Sequence, residues 1–285
     1  MKLIETDAFL KKLELREFPQ PEIVQLRYPL LLCHGFGALV SVIKPSPMHE
    51  TCMFLRQHGV MAFAPNIVPY AKIETRSQQW SQKIVQLCDR YGFEKMNIVA
   101  HSMSGLDMRY AISRSDVYQR VASLTTVATP HRGTSLAELV LNTPEKVREK
   151  LVEAFDWFGN SIYPKSESDA VGAVRQLTRE YVRTTFNPEN PDRENITYFS
   201  YSASAGKGTN QPLNALYRYQ NQHLYENEGP NDSFVSEKSA VWGKHLGTVP
   251  LSHLEQIKLG LSKDRVQIFE KFWYRVAGNL SDNGF

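Results

Sequence analysis

Val99-Ala-His-Ser-Met-Ser-Gly105 is the stretch whose reading decides the fold. An apolar run of strand length gives way within two residues to a turn that carries two serines. A serine at such a place is either an ordinary helix N-cap or a nucleophile raised above the sheet on a sharp strand-to-helix turn. The second reading needs small residues two before and two after the serine, because a bulky flank would hold the helix away from the strand. Centring the pattern on Ser102 puts Ala100 and Ser104 at those places, both small. Centring it on Ser104 puts Ser102 and Leu106 there, and Leu106 is branched. Ser102 is the better centre.

Working outward, apolar runs of strand length recur at Pro29–Cys33, Val60–Ala64, Asn97–Ala100, Val121–Val127 and Thr197–Ser202. Segments with helical spacing separate most of them, and that alternation predicts a mostly parallel sheet covered by helices, an α/β fold class. The clearest helix is Ile73–Tyr91, with Ile73, Trp80, Ile84, Leu87 and Cys88 on one face and Gly92 as its stop. From residue 142 to residue 190 the pattern is helical without an intervening strand and carries Val147, Leu151, Val152, Phe155, Trp157 and Phe158. This predicts a helical cap or lid inserted in a single domain spanning 1–285, with an ordinary packed excursion as the alternative. FNPENPDREN at 186–195 reads as the loop that returns to the sheet.

At 285 residues, 42% hydrophobic and 22% charged, the chain is long enough for one large core. Thirty-three basic against thirty acidic residues give a formal charge of +3, too balanced to make nucleic acid an expected partner. The first twenty residues mix acids and bases without a signal-like apolar run, and no later stretch has the length to span a bilayer. The expectation is a cytoplasmic protein that touches lipid surfaces only transiently, or a secreted one whose leader has been removed. Cys33, Cys52 and Cys88 lack metal-ligand spacing and read as buried thiols.

A serine nucleophile also needs a base, an acid to orient that base, and N–H donors for the oxyanion. YPLLLCHGFG at Tyr28–Gly37 is an apolar strand running into a His-Gly turn, which can aim the Phe36 N–H at Ser102 beside the N–H of Met103. His34 is then structural. These segments, with AHSMSGLDMRY at Ala100–Tyr110 and ATPHRGTSLAE at Ala128–Glu138, resemble the bacterial triacylglycerol lipase family of α/β-hydrolases. NDSFVSEKSAVWG at Asn231–Gly243 and GTVPLSHLEQI at Gly247–Ile257 extend the resemblance through most of the chain.

The resemblance implies the α/β-hydrolase fold and hydrolysis of carboxylic esters, including lipid esters. It implies catalytic Ser102, Asp232 and His253 in that chain order, with oxyanion amides from Phe36 and Met103 and no cofactor. His245 is the rival base, while Asp107, Asp116, Asp156, Asp169 and Asp192 lack the sequence context of Asp232. His101 and His131 are expected beside the site, and Asp107 and Arg109 in ion pairs or on a helix surface. Secreted members hold a structural calcium through an aspartate after the histidine; Glu255 and Leu259 stand in that region here, so no metal is expected. The same triad serves acyltransferases and thioesterases, and a binding scaffold without turnover is the remaining alternative.

Overall fold

Leu30-Leu-Leu-Cys33 has no polar alternation, and such a strand is stable only where both sheet faces are covered. In the computed structural model, which describes residues 21–36, 46–143 and 169–285, this run is β1 (Leu30–Cys33). It joins β2 (Ala62–Phe63), β3 (Met96–His101), β4 (Val121–Val127), β5 (Thr197–Ala203) and β6 (Lys244–Val249). The order is β2-β1-β3-β4-β5-β6, and every pairing is parallel.

Successive side chains of β1 enter opposite cores. Leu30 and Leu32 pack with Val99, Val127, Leu55 of α1 (His49–Gln57), and Phe269, Trp273 and Val276 of the final helix, Val266–Asp282. Leu31 and Cys33 join Ile98, Ala100 and Leu124 beneath Trp80 and Ile84 of α2 (Ile73–Tyr91) and Met108 and Ile112 of α3 (Ser104–Arg114). The register pairs Cys33 with Ala100 and His101 with Val127. The turns that follow β1, β3 and β4 therefore leave the sheet side by side at its carboxyl edge, where open α/β sheets bind ligands.

Helix α2 has the bounds expected from its periodicity, and Gly92 closes it at φ 71° with its N–H donating to the Cys88 carbonyl. Its buried face also carries Arg76 and Ser77, while Leu87 lies at the margin of the core. Two strands differ from expectation. β2 keeps only two residues of Val60–Ala64. β6 was not anticipated, because Lys244–Val249 is a polar, mostly exposed edge without regular alternation.

Of the predicted insertion 142–190, residues 144–168 lie outside the described residues, and with them the apolar positions from Val147 to Phe158. The described remainder is helical, including Ala170–Arg175 and a π-turn at Val182–Phe186. It packs Ala173, Val182 and Phe186 against Ile73, Met103 and Leu106. No described helix is long and apolar enough to cross a membrane.

Arg76 ties these parts together. Fully buried, it donates to Asp107 Oδ2 of α3 at 2.8 Å, to the Val68 and His34 carbonyls at 2.8 Å, and to the Pro69 carbonyl at 3.3 Å. Burial pushes Asp107 up to about 6 against the pull of Arg76. Arg76→Met strands three carbonyls as well as a carboxylate and is expected to cost about 3–5 kcal/mol in chemical denaturation. Adding Asp107→Asn should not restore that stability, because the carbonyls stay unpaired; full recovery would show that the ion pair alone matters.

Candidate active site

Ser102 has φ 62°, a left-handed conformation that a non-glycine residue holds only under constraint. Its N–H donates to the Val127 carbonyl at 2.9 Å, and its carbonyl accepts the Thr129 hydroxyl at 2.7 Å. Ser104, where a glycine is usual, is small enough for the turn and adds a function of its own. Its buried hydroxyl lies 2.8 Å from the Cys33 carbonyl and 2.7 Å from the His101 carbonyl, joining the ends of β1 and β3. Two glycines permit the close approach. A Cβ on Gly35 would sit 2.5 Å from Ser102 Cβ, and one on Gly105 would sit 2.1 Å from Thr129 Oγ1.

Asp232 and His253 are twenty-one residues apart and in contact. His253 Nδ1 lies 2.6 Å from Asp232 Oδ2, and the His253 N–H donates to the Asp232 carbonyl at 2.9 Å. The other carboxylate oxygen accepts the N–H groups of Phe234 at 3.0 Å and Val235 at 2.8 Å, so the fully buried Asp232 is held in one orientation. The loop is shaped by Asn231, whose Oδ1 accepts the Ser233 N–H at 2.9 Å and the Asn221 amide at 2.8 Å. The imidazole of His253 lies between Phe234, stacked at 4.8 Å, and His101 at 4.6 Å. His253, Ser102, Phe36, His34 and Leu254 line one small cavity of about 30 Å³. Met103 is buried at the head of α3.

Comparison with known proteins places the chain among lipases and esterases. The chain is 27% identical over 256 residues to a triacylglycerol lipase of Saccharomyces cerevisiae, spanning 81% of this chain and 72% of the relative. It is 26% identical over 268 residues to a triacylglycerol lipase of Pseudomonas fragi, spanning 82% and 89%. The structure of a metagenomic carboxyl esterase superposes with a TM-score of 0.69 at 18% identity, covering 94% of this chain and 78% of that one. No family model matches the chain. The chain has the α/β-hydrolase fold and is a homologue of triacylglycerol lipases.

In this hydrolase His34, His131 and His245 are each held by contacts of their own. His34 Nε2 accepts the Ile67 N–H at 3.2 Å, and its ring meets Trp80 edge-on. His131 lies 3.0 Å from the Thr126 hydroxyl and stacks on Trp242, with Arg109 over the other ring's centroid region at 3.6 Å from Trp242. His245, the rival base, stands on β6 beside Ser200 and Ser202 and does not reach the site. Asp107 is in the Arg76 pair, and Arg109 anchors the 187–192 segment through Asn187 at 2.8 Å and Asp192 at 3.7 Å. Glu255 is turned to Arg265 at 2.8 Å and to the Ser252 N–H and hydroxyl, both at 2.8 Å, so its carboxylate is not presented to a cation. Gln256 was missed by the sequence reading: it is buried and bonded to both Asp232 and His101. Its only signal was a place three residues after His253 on the same turn.

Burial holds His34 down at about 3, and His101 and His131 well below the ordinary imidazole value. A histidine depressed in the folded state resists protonation that the unfolded chain accepts, so its stabilising contribution is present above about pH 6.5 and is lost as pH falls. Unfolding free energy should drop by up to about 1.4 kcal/mol per pH unit for each of the three below that pH. Denaturation series at pH 7, 6 and 5 check this; a flat profile would contradict the neutral assignment.

Proposed function

We propose that this α/β-hydrolase cleaves carboxylic esters in two acyl transfers, with Ser102 as nucleophile, His253 as base and Asp232 as the acid that orients it. The observation that carries the reading is the combination at one cavity: a serine at φ 62° beside a histidine whose other nitrogen is bound to a buried carboxylate. The names of the homologues support esters as the substrate class, lipid esters among them.

Ser102 Oγ attacks the ester carbonyl carbon while His253 Nε2 takes its proton. Asp232 keeps the Nδ1–H tautomer and steadies the imidazolium. The N–H groups of Phe36 and Met103 stabilise the oxyanion of the tetrahedral intermediate, a contribution of about a hundredfold or more in turnover for each. When the intermediate collapses, the alkoxide leaves with the proton from His253, giving the ester of Ser102. Water then loses a proton to His253, attacks the acyl carbon, and releases the acid with the hydroxyl of Ser102 restored. The insertion 142–190 is the proposed cover for the acyl chain, supported by the packing of its described helices on Met103 and Phe36.

Ser102→Ala should abolish p-nitrophenyl ester turnover while the protein stays folded; wild-type turnover in that variant would refute the assignment. A series from acetate to palmitate, run beside it, reads the acyl preference. Gly35→Ala, which forces a Cβ against Ser102, should lower kcat by at least about tenfold, and unchanged kinetics would show that the turn relaxes freely.

A further inference from the structure

The Asp232 carboxylate carries one hydrogen bond more than the orientation of His253 requires. Its Oδ2, the oxygen bound to His253, also accepts the side-chain amide of Gln256 at 2.9 Å. The Gln256 amide oxygen lies 3.1 Å from His101 Nε2. Gln256 is fully buried, and it follows His253 by three residues on the turn Glu255–Ile257. Its own carbonyl is held by the Trp273 indole N–H at 2.9 Å, so the backbone stays fixed without the side chain.

The chemistry of the three groups leaves one arrangement. If the amide were reversed, its oxygen would face a carboxylate oxygen, two acceptors in a dry site. Gln256 therefore donates to Asp232 and turns its amide oxygen to His101 Nε2, while His101 is also hydrogen-bonded to the His253 backbone. A lysine or arginine at this place would add a second cation beside the imidazolium that forms during turnover; the amide supplies a donor without charge.

We infer that Gln256, backed by His101, is a positioning residue that locks the Asp232 carboxylate toward His253 and tempers its pull on the imidazolium. This rests on the reading of Ser102, His253 and Asp232 given above. The titratable groups around His253 are Asp232 from its loop, His101 from β3 with His34 behind it, and Glu255 on the same turn, already paired with Arg265. His101 faces His253 across 4.6 Å, and its burial favours the neutral form, so it adds no opposing charge. Without the Gln256 donor, Asp232 Oδ2 loses a competing hydrogen bond and binds the imidazolium more strongly. The base then keeps its proton to higher pH.

The test uses Gln256→Met, which keeps the length and loses the donor, and Gln256→Glu, which keeps the shape and adds charge. In Gln256→Met, kcat for a p-nitrophenyl ester should fall by about tenfold with KM little changed. The acid limb of kcat/KM should move up by roughly half a pH unit. Gln256→Glu, which adds a negative charge beside the Asp232 carboxylate, should move that limb further in the same direction. A fall in thermal stability with both acid limbs unmoved would overturn the inference, as would wild-type kinetics in both variants. If one variant fails to fold, the acid limb of the other decides. Ser102→Ala is run in parallel: loss of activity there with normal Gln256 variants refutes this inference alone, whereas retained activity there refutes the underlying reading.

Discussion

A serine at φ 62° costs on the order of 1–2 kcal/mol relative to ordinary backbone, and the turn from β3 into α3 exists because its surroundings outweigh that cost. The Thr129 hydroxyl holds the Ser102 carbonyl, the Val127 carbonyl holds its N–H, and Ser104 spans the ends of β1 and β3. At about 0.5–1.5 kcal/mol net for each hydrogen bond, these contacts together exceed the strain. They act only because Gly35 and Gly105 let the neighbouring turns come within van der Waals contact.

Arg76 carries the same constraint outward. From α2 it holds the carbonyl of His34 at the start of the Gly35 turn and the carboxylate of Asp107 one turn into α3. The two halves of the cavity are thus referenced to one buried guanidinium. Its planar fork supplies donors in several directions at once, which a lysine ammonium in the same place would do poorly. A charge in this core is costly in isolation; here the carbonyls and the carboxylate share it.

The parts of the molecule legible from residues alone are those governed by local rules. The α2 bounds follow from period and a glycine stop, and β4 from a continuous apolar run. The elbow at Ser102 follows from the size of its flanks. Asp232 and His253 were legible only through resemblance, because nothing in the spacing of an acid and a histidine states that they touch. β6 was illegible because an exposed polar edge strand owes its pairing to β5 and not to its own pattern. Arg76 and Gln256 were illegible for a related reason. A buried polar side chain is stable only through partners scattered along the chain, so its own sequence neighbourhood carries no trace of them.

The strain and the polar burial fall in the same places. All four non-glycine residues of positive φ among the described residues, Ser102, Ala128, Ser233 and Lys258, lie within a few residues of Ser102, Thr129, Asp232 or Gln256. The His253 ring has two torsions and at least three restraints: Asp232 at Nδ1, Phe234 on one side and His101 on the other. An over-determined ring does not need to reorganise on taking the proton that the proposed mechanism gives it, which is what electrostatic preorganisation requires. The cost appears elsewhere, as buried histidines that must stay neutral and backbone that must stay bent. Stability in this fold is therefore spent around the elbow and the Asp232 loop, while the two apolar cores on either side of the sheet supply it.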